Sequence, residues 1–227
     1  MLGFVAGVIV LVAVAVVLAV VLTRGSSSAS SKTQPLPGAT AVNAVFTRIP
    51  QHGVVLGSSS APVAMREFID LQCPFCQEFE TGLFPTIVKR FVRTGKLQVQ
   101  MYPLAFIGPD SVRGQAAVLA AGKQNRAFNY AAQLYANQRT ENTGWLNENM
   151  VKAAAASVPG LGIDQLLSQR HSGSIRAQQR QVNAAGTSIS STPTIFVGKS
   201  GTPGTQVAMQ SPTDEASLVA AINAASR

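Results

Sequence analysis

The feature that most constrains this chain is an apolar run meeting a helical pattern, with two cysteines placed at the junction. Val63 to Ile69 reads as a strand, Cys73-Pro74-Phe75-Cys76 follows at once, and Cys76, Phe79, Leu83, Ile87 and Phe91 then recur at three- or four-residue spacing. That spacing puts one apolar stripe on a helix and turns it toward a core. Pro85 is expected to kink the helix without ending it, and Gly95 to close it as a C-cap. Leu97, Val99 and Met101 alternate with Gln98 and Gln100, the period of a second strand. A strand, a crossover helix and a further strand imply an α/β layer with parallel pairing.

These are the only two cysteines in 227 residues, too few for a disulfide-stapled fold. Side chains at i and i+3 on a first helical turn stand roughly 5–6 Å apart at Cβ and can close a disulfide. Cys73 falls at the N-cap, where free backbone N–H groups and the positive end of the helix stabilise a thiolate. Cys76 lies one turn in, on the buried stripe, where desolvation keeps a thiol protonated. The expectation is therefore an exposed nucleophile and a buried resolving thiol. Pro74 occupies the first helical position, where it has no N–H to lose. On the preceding strand Val63, Met65, Glu67 and Ile69 share a face, so Glu67 stands among apolar neighbours. A carboxyl so placed has a raised pKa and can take the proton of Cys76 during exchange; the bland alternative is a bulged strand or a solvated face.

Beyond the second strand lies an Ala-, Gln- and Asn-rich region, about 106–187, with helical patches and no convincing strand. Leu119, Phe128, Leu134, Trp145, Leu146, Val151, Leu166 and Leu167 are its candidate core. Thr194 to Val197 and Gln206 to Met209 then read as short strands, and Ser211-Pro212 as the N-cap and first position of a last helix.

Leu2 through Leu22 is an uncharged apolar run long enough to cross a bilayer as a helix. A cleaved signal peptide is the rival, but its apolar core is usually about 7–15 residues long after a basic start. The run here is longer, no Lys or Arg precedes it and Thr23-Arg24 follows, so an uncleaved single-pass anchor over 1–24 is expected. Arg24 and Lys32 behind the run weakly favour a cytoplasmic domain, whereas the dithiol chemistry favours the outside. Residues 25–52, beginning with a Ser-, Gly-, Pro- and Ala-rich stretch, read as a flexible tether, and 53–227 as the catalytic domain.

Lys and Arg number 18 against 10 acidic residues, a net charge of +8. No stretch interleaves those charges with aromatics, which argues against nucleic-acid binding. His52 and His171 lie far from the cysteines and from each other, so no zinc-type ligand set is expected.

Taken with these residues, Gly57, Ala61-Pro62-Val63, Glu67-Phe68, Asp70 and Cys73-Pro74-Phe75-Cys76, followed by Thr192-Pro193-Thr194 and Ile195-Phe196-Val197-Gly198, resemble the DsbA-like branch of the thioredoxin superfamily over roughly 53–225. The resemblance implies a thioredoxin-like fold carrying an inserted helical domain. It implies Cys73 as the attacking and Cys76 as the resolving cysteine, Glu67 as the buried acid, and a cis Thr192-Pro193 facing the pair. Pro74, Phe75, Thr192 and Pro193 would then receive an extended substrate. No cofactor beyond the redox-active Cys73–Cys76 disulfide is implied. Partners would be thiol-bearing secreted or envelope proteins and a membrane redox protein that reoxidises the pair. Many strong oxidants of this branch carry Pro-His between the cysteines, and Phe75 cannot supply an imidazole to a thiolate, which predicts a weaker oxidant. A reductase or isomerase using the same site, and a non-catalytic interaction module, are the competing readings. A ring this small is a poor stability device, which counts against the last.

Overall fold

The computed structural model describes residues 33–227. Within them a six-stranded sheet runs in the order β1-β2-β4-β3-β5-β6. The strands are β1 (Gln51–His52), β2 (Val55–Leu56), β3 (Val63–Asp70), β4 (Leu97–Leu104), β5 (Thr194–Lys199) and β6 (Thr205–Gln206). β3 and β4 pair in parallel from Val63↔Leu97 to Asp70↔Leu104, with the crossover helix between them. β5 runs antiparallel on the other side of β3. Its first residue, Thr194, is therefore opposite Phe68, near the C-terminal end of β3. That reversal brings the segment before β5 to the end of the sheet where the cysteines sit.

The crossover helix, α2 (74–92), begins as α-helix at Pro74–Glu78, widens to a π-turn at Phe79–Leu83, resumes at Phe84–Ile87 and widens again at Val88–Val92. Pro85 offers no N–H, and just before it the Phe84 N–H reaches back to the Phe79 carbonyl. The helix thus absorbs the proline by widening a turn. Cys76, Phe79, Leu83, Ile87 and Phe91 are all buried, as their spacing predicts. Gly95, at φ 72°, closes the helix, with Lys96 N–H bonded to Phe91 O at 2.9 Å. Gly57, at φ 104°, passes so near β4 that a Cβ there would stand 2.9 Å from Leu97 O; only glycine fits.

Between β4 and β5 lies the helical insertion: α3 (Pro109–Gly122), α4 (Ala127–Ala136), α5 (Glu148–Ala156), α6 (Ile163–Gln169) and α7 (Gly173–Ala185). All its candidate core residues are buried except Leu167, which is partly covered. Phe84 of α2 stacks on Phe128 of α4 at 6.2 Å, and Phe128 meets Phe46 at 6.4 Å. Such pairs add about 0.5–1.5 kcal/mol each beyond buried area, and they tie the insertion to both α2 and the N-terminal part of the domain.

Three sequence expectations are corrected. Residues 34–52, read as tether, belong to the folded unit Gln34–Arg227. They form α1 (Ala39–Ala44) and the edge strand β1, held by Phe46 and Ile49 in the core and by Asn43 Nδ2 donating to Ser157 O at 2.7 Å. The final strand is only Thr205–Gln206, short of Met209, although Val207 N–H still reaches Ile195 O at 2.8 Å. The last helix, α8 (Glu215–Ala225), starts after Asp214, whose carboxylate accepts from Ser217 N–H at 3.1 Å. Ser211-Pro212 instead forms a turn, closed by Asp214 N–H to Ser211 O. The carboxylate out-competes the hydroxyl as cap because it also complements the helix dipole.

No helix among the described residues is long and apolar enough to cross a membrane. The Leu2–Leu22 run, the anchor expected over 1–24 and the first part of the tether lie outside the described residues.

Candidate active site

Cys73 caps α2 from an extended conformation, φ −68° and ψ 121°, with Pro74 at the first helical position. Both cysteines are free thiols. Cys76 is fully buried and Cys73 is 5% exposed, so the attacking thiol is less open than the sequence suggests. It is covered by the Thr192-Pro193 segment, whose peptide bond is cis. The Cys73 thiol donates to the Thr192 carbonyl at 3.2 Å. The structure thus brings together the two motifs that the chain separates by 119 residues. Pro74 is exposed and Phe75 is 60% exposed, beside the thiol rather than beneath it. His52 and His171 are both exposed and take no part.

The two thiols titrate in opposite directions. Cys73 is lowered from the ordinary 9.0 to about 6. The hydrogen bond from the Cys76 thiol contributes most; burial opposes it, and Thr192 and the backbone N–H groups of Cys76 and Phe75 add to the lowering. Cys76 is pushed well up, first by burial and then by its donation to Cys73 and by the charge there. At neutral pH the arrangement offers one thiolate and one thiol, a nucleophile and a resolving group.

The strand before the helix carries two buried acids in contrasting states. Asp70 accepts from Gln72 N–H (2.8 Å), Ser111 Oγ (2.7 Å), Phe106 N–H (2.7 Å) and Ile107 N–H (3.0 Å). It is the clasp that joins the Cys73 loop to the loop after β4. Glu67 is fully buried between its register neighbours Met101 and Ile195, and neither of its carboxyl oxygens has a partner. Burial raises its pKa well above 4.5, and the neighbouring Glu80 raises it further. The strand is regular, so Glu67 shares the face of Val63, Met65 and Ile69 that its spacing indicates.

Several residues of the site were not singled out in the sequence. Gln138 Nε2 donates to Leu71 O at 2.9 Å and Cys73 O at 3.2 Å, and Tyr135 Oη donates to Asp70 O at 3.0 Å. The insertion therefore holds the loop that carries the nucleophile. Gln72, Gln77 and Gln138 line, with Pro74, Arg139, Thr140 and Glu141, a cleft of about 580 Å³ beside the thiol. Phe106, 52% exposed, follows β4 at the same end of the sheet as Phe75. Glu80 is 5% exposed and could have been noticed as the residue four after Cys76. Among the described residues no group of side chains is arranged to hold a metal ion.

A thioredoxin family model matches residues 50–223. The chain belongs to the thioredoxin family. Its relatives in that family include the probable disulfide bond formation protein D of Bacillus cereus, 29% identical over 124 residues, which are 53% of this chain and 57% of that protein. The disulfide bond formation protein D of Bacillus subtilis is 25% identical over 147 residues, 63% of this chain and 66% of that protein. The matched part thus spans little more than half of the Bacillus cereus relative. Among solved thioredoxin-fold structures, oxidised BdbD from Bacillus subtilis superposes with a TM-score of 0.68 at 22% identity, covering 78% of this chain and 97% of that one. Chlamydia trachomatis DsbA superposes at 0.57 with 24% identity, covering 64% and 80%. These likenesses establish the thioredoxin-like fold with its helical insertion.

Proposed function

We propose that this chain is a protein thiol–disulfide oxidoreductase that works outside the cytoplasm and donates the Cys73–Cys76 disulfide to folding secreted or envelope proteins. The observation that carries this is the opposite titration of two thiols one helical turn apart, Cys73 lowered to about 6 and Cys76 raised. A substrate thiolate attacks Cys73, the Cys73–Cys76 bond breaks, and a second substrate thiol resolves the mixed disulfide. The oxidised substrate leaves and the enzyme remains as the dithiol. Cys73 is the better leaving group because its thiolate is stabilised. Thr192 and Pro193 bound the site over Cys73, and Pro74 and Phe75 offer an exposed surface to an unfolded chain. Glu67 supplies a carboxyl on the buried side. A membrane redox protein restores the disulfide, and no bound cofactor is needed. The names of the Bacillus relatives point to the same chemistry.

The uncharged Leu2–Leu22 run is the proposed anchor, placing the domain at the outer surface of the cell membrane. One observation favours a second direction of use: Phe75 stands where an imidazole would further stabilise the Cys73 thiolate. That gives weight to a reductase or isomerase working through the same pair. The deciding experiment equilibrates the chain with glutathione buffers and reads the dithiol by alkylation. A potential near the roughly −120 mV of a strong oxidase supports donation, and one near the roughly −270 mV of thioredoxin overturns it in favour of reduction. Cys73→Ser abolishes exchange in either direction; a Cys73→Ser chain that still exchanges refutes the assignment altogether.

A further inference from the structure

The helical insertion carries a second cleft, of about 450 Å³, where α3, the start of α5, the end of α6 and the first turn of α7 meet. Three guanidiniums line it, those of Arg113, Arg170 and Arg176, against one carboxylate, Glu148. Val112 and Ala116 of α3 supply its apolar part. The volume lies within the roughly 300–1,000 Å³ of an ordinary ligand pocket. Neither the Cys73–Cys76 motif nor Thr192-Pro193 contributes to its wall.

The cations of this cleft outnumber their partners. Arg113 is paired with Asp110, and Glu148 is shared between Arg170 and Lys152. Arg176 has no carboxylate partner among the described residues, and its Nη1 donates to the His171 carbonyl instead. It also stands in the first turn of α7, a 13-residue helix with no acidic residue there, where the helix dipole already places positive charge. Arg170 is the more telling residue. Its side chain is 9% exposed, yet among the described residues it donates only to Glu148, and its Nε is sealed without a partner. A guanidinium has five N–H donors, and leaving most of them unspent in a buried site is costly. An anion in the cleft compensates that charge and meets the positive pole of α7 as well.

The cleft adjoins the redox site. The Asp70 carbonyl accepts from Cys73 N–H at 3.1 Å, and the Asp70 carboxylate accepts from Ser111 Oγ at 2.7 Å. Asp70 therefore joins the loop of the nucleophile to the helix that carries Val112 and Arg113. Val112 is 49% exposed and, with Phe75 and Phe106, makes up the large hydrophobic side chains exposed among the described residues.

We infer that this cleft is a substrate subsite for carboxylate side chains: an acidic stretch of the thiol-bearing polypeptide docks on Arg170 and Arg176 while its cysteine reacts at Cys73. The inference rests on the exchange reading proposed above and names the substrates that it favours. Arg113, Arg170 and Arg176 touch no sulfur, so they act on capture of the polypeptide and not on the exchange step. An acidic stretch fits better than a free phosphate, because Val112 and Ala116 offer a phosphate nothing while they can pack against a side-chain stem.

The test uses the full chain in its disulfide form and dithiol peptides that differ only in a run of Asp and Glu or of Asn and Gln. The run is set about four to eight residues from the cysteines, a reach of roughly 13–29 Å in an extended chain. At low salt kcat/KM for the acidic peptide exceeds that for the neutral one by at least about fivefold, the difference lies in KM, and it shrinks as salt is added. Arg176→Gln lowers that ratio about threefold or more, and Arg176→Lys, which keeps the charge, retains most of it. Lys89→Gln, at an exposed position on α2 outside the cleft, leaves the ratio unchanged.

A wild-type ratio near one overturns the subsite, and binding of inorganic phosphate that Arg176→Gln abolishes then assigns the cleft to a phosphate-bearing ligand instead. A ratio that Lys89→Gln lowers as far as Arg176→Gln also overturns it, since the preference then belongs to the net positive charge of the chain. Should Arg176→Gln fail to fold, competition in the wild-type chain replaces it. A cysteine-free peptide of Asp and Glu raises KM for the acidic substrate and not for the neutral one; equal effects on both, or none, refute the subsite. Failure of these arms with the neutral peptide still oxidised removes only the subsite. A wild-type chain that oxidises neither peptide overturns the exchange reading itself.

Discussion

Lowering the pH from 8 to 5 should weaken the reduced protein relative to the oxidised one, and by an amount the Cys73 environment sets. In the folded dithiol Cys73 titrates at about 6, against 9.0 for an ordinary cysteine thiol. A group whose pKa is depressed by folding contributes stability that is fully present above the unfolded pKa and lost as the pH falls through the folded one. Between pH 8 and pH 5 the loss integrates to about 2–3 kcal/mol. Cys76 moves the other way, but its contribution is lost only above the ordinary thiol range, outside this window. Glu67 and Glu80 are raised, so what they contribute falls with rising pH. They are present in both redox forms and cancel in the difference to the extent that their titration is unaffected by the disulfide. Urea unfolding of the oxidised and reduced chains at pH 5, 6, 7 and 8 measures that difference directly. It should grow in favour of the reduced form with rising pH, equivalent to about 40–65 mV of added oxidising power. A difference that is flat across the window, or that grows toward low pH, refutes the reading that hydrogen bonds from Cys76, Thr192 and the helix N-terminus hold a thiolate at Cys73.

Two further outcomes follow from other parts of the site. Asp70→Ala orphans four donors, those of Gln72, Phe106, Ile107 and Ser111, and should cost about 3 kcal/mol or more in thermal or urea unfolding; a loss below about 1 kcal/mol would mean that water replaces the clasp. Phe75→Ala and Phe106→Ala, at sites 60% and 52% exposed, should leave stability within about 0.5 kcal/mol while raising KM for an unfolded, thiol-bearing polypeptide; unchanged KM in both variants would remove the apolar surface from the substrate site.

The parts of this molecule that could be read from its sequence are those written in short-range spacing. The buried stripe from Cys76 to Phe91, the face that holds Glu67 and the N-cap position of Cys73 all follow from a period of three to four or of two. Only the family resemblance puts Thr192-Pro193 beside Cys73, because nothing local connects residues 119 apart. The edge strands β1 and β2 have two residues each and so no period to recognise. α1 reads as tether because its Ala- and Asn-containing sequence has a weak pattern, and because its support comes from distant partners such as Ser157. Glu80 follows Cys76 by four residues and so borders the buried stripe, but a carboxyl there reads as the solvated edge of that stripe. It is buried because the neighbouring helices α1 and α4 close over it, a fact of tertiary packing that the local sequence does not contain.

The bond between the Cys73 thiol and the Thr192 carbonyl has a consequence for the time before the protein is folded. A chain synthesised from its N-terminus presents Cys73 and Cys76 well before Thr192 exists, and before Tyr135 and Gln138 can hold the loop between β3 and α2. During that interval the two thiols have neither the tuned nucleophile nor the sealed resolving partner, and both titrate as ordinary cysteines, with little thiolate at neutral pH. The contacts that lower Cys73 most come from its own helix turn, and closure of the long loop adds Thr192 to them and covers the pair.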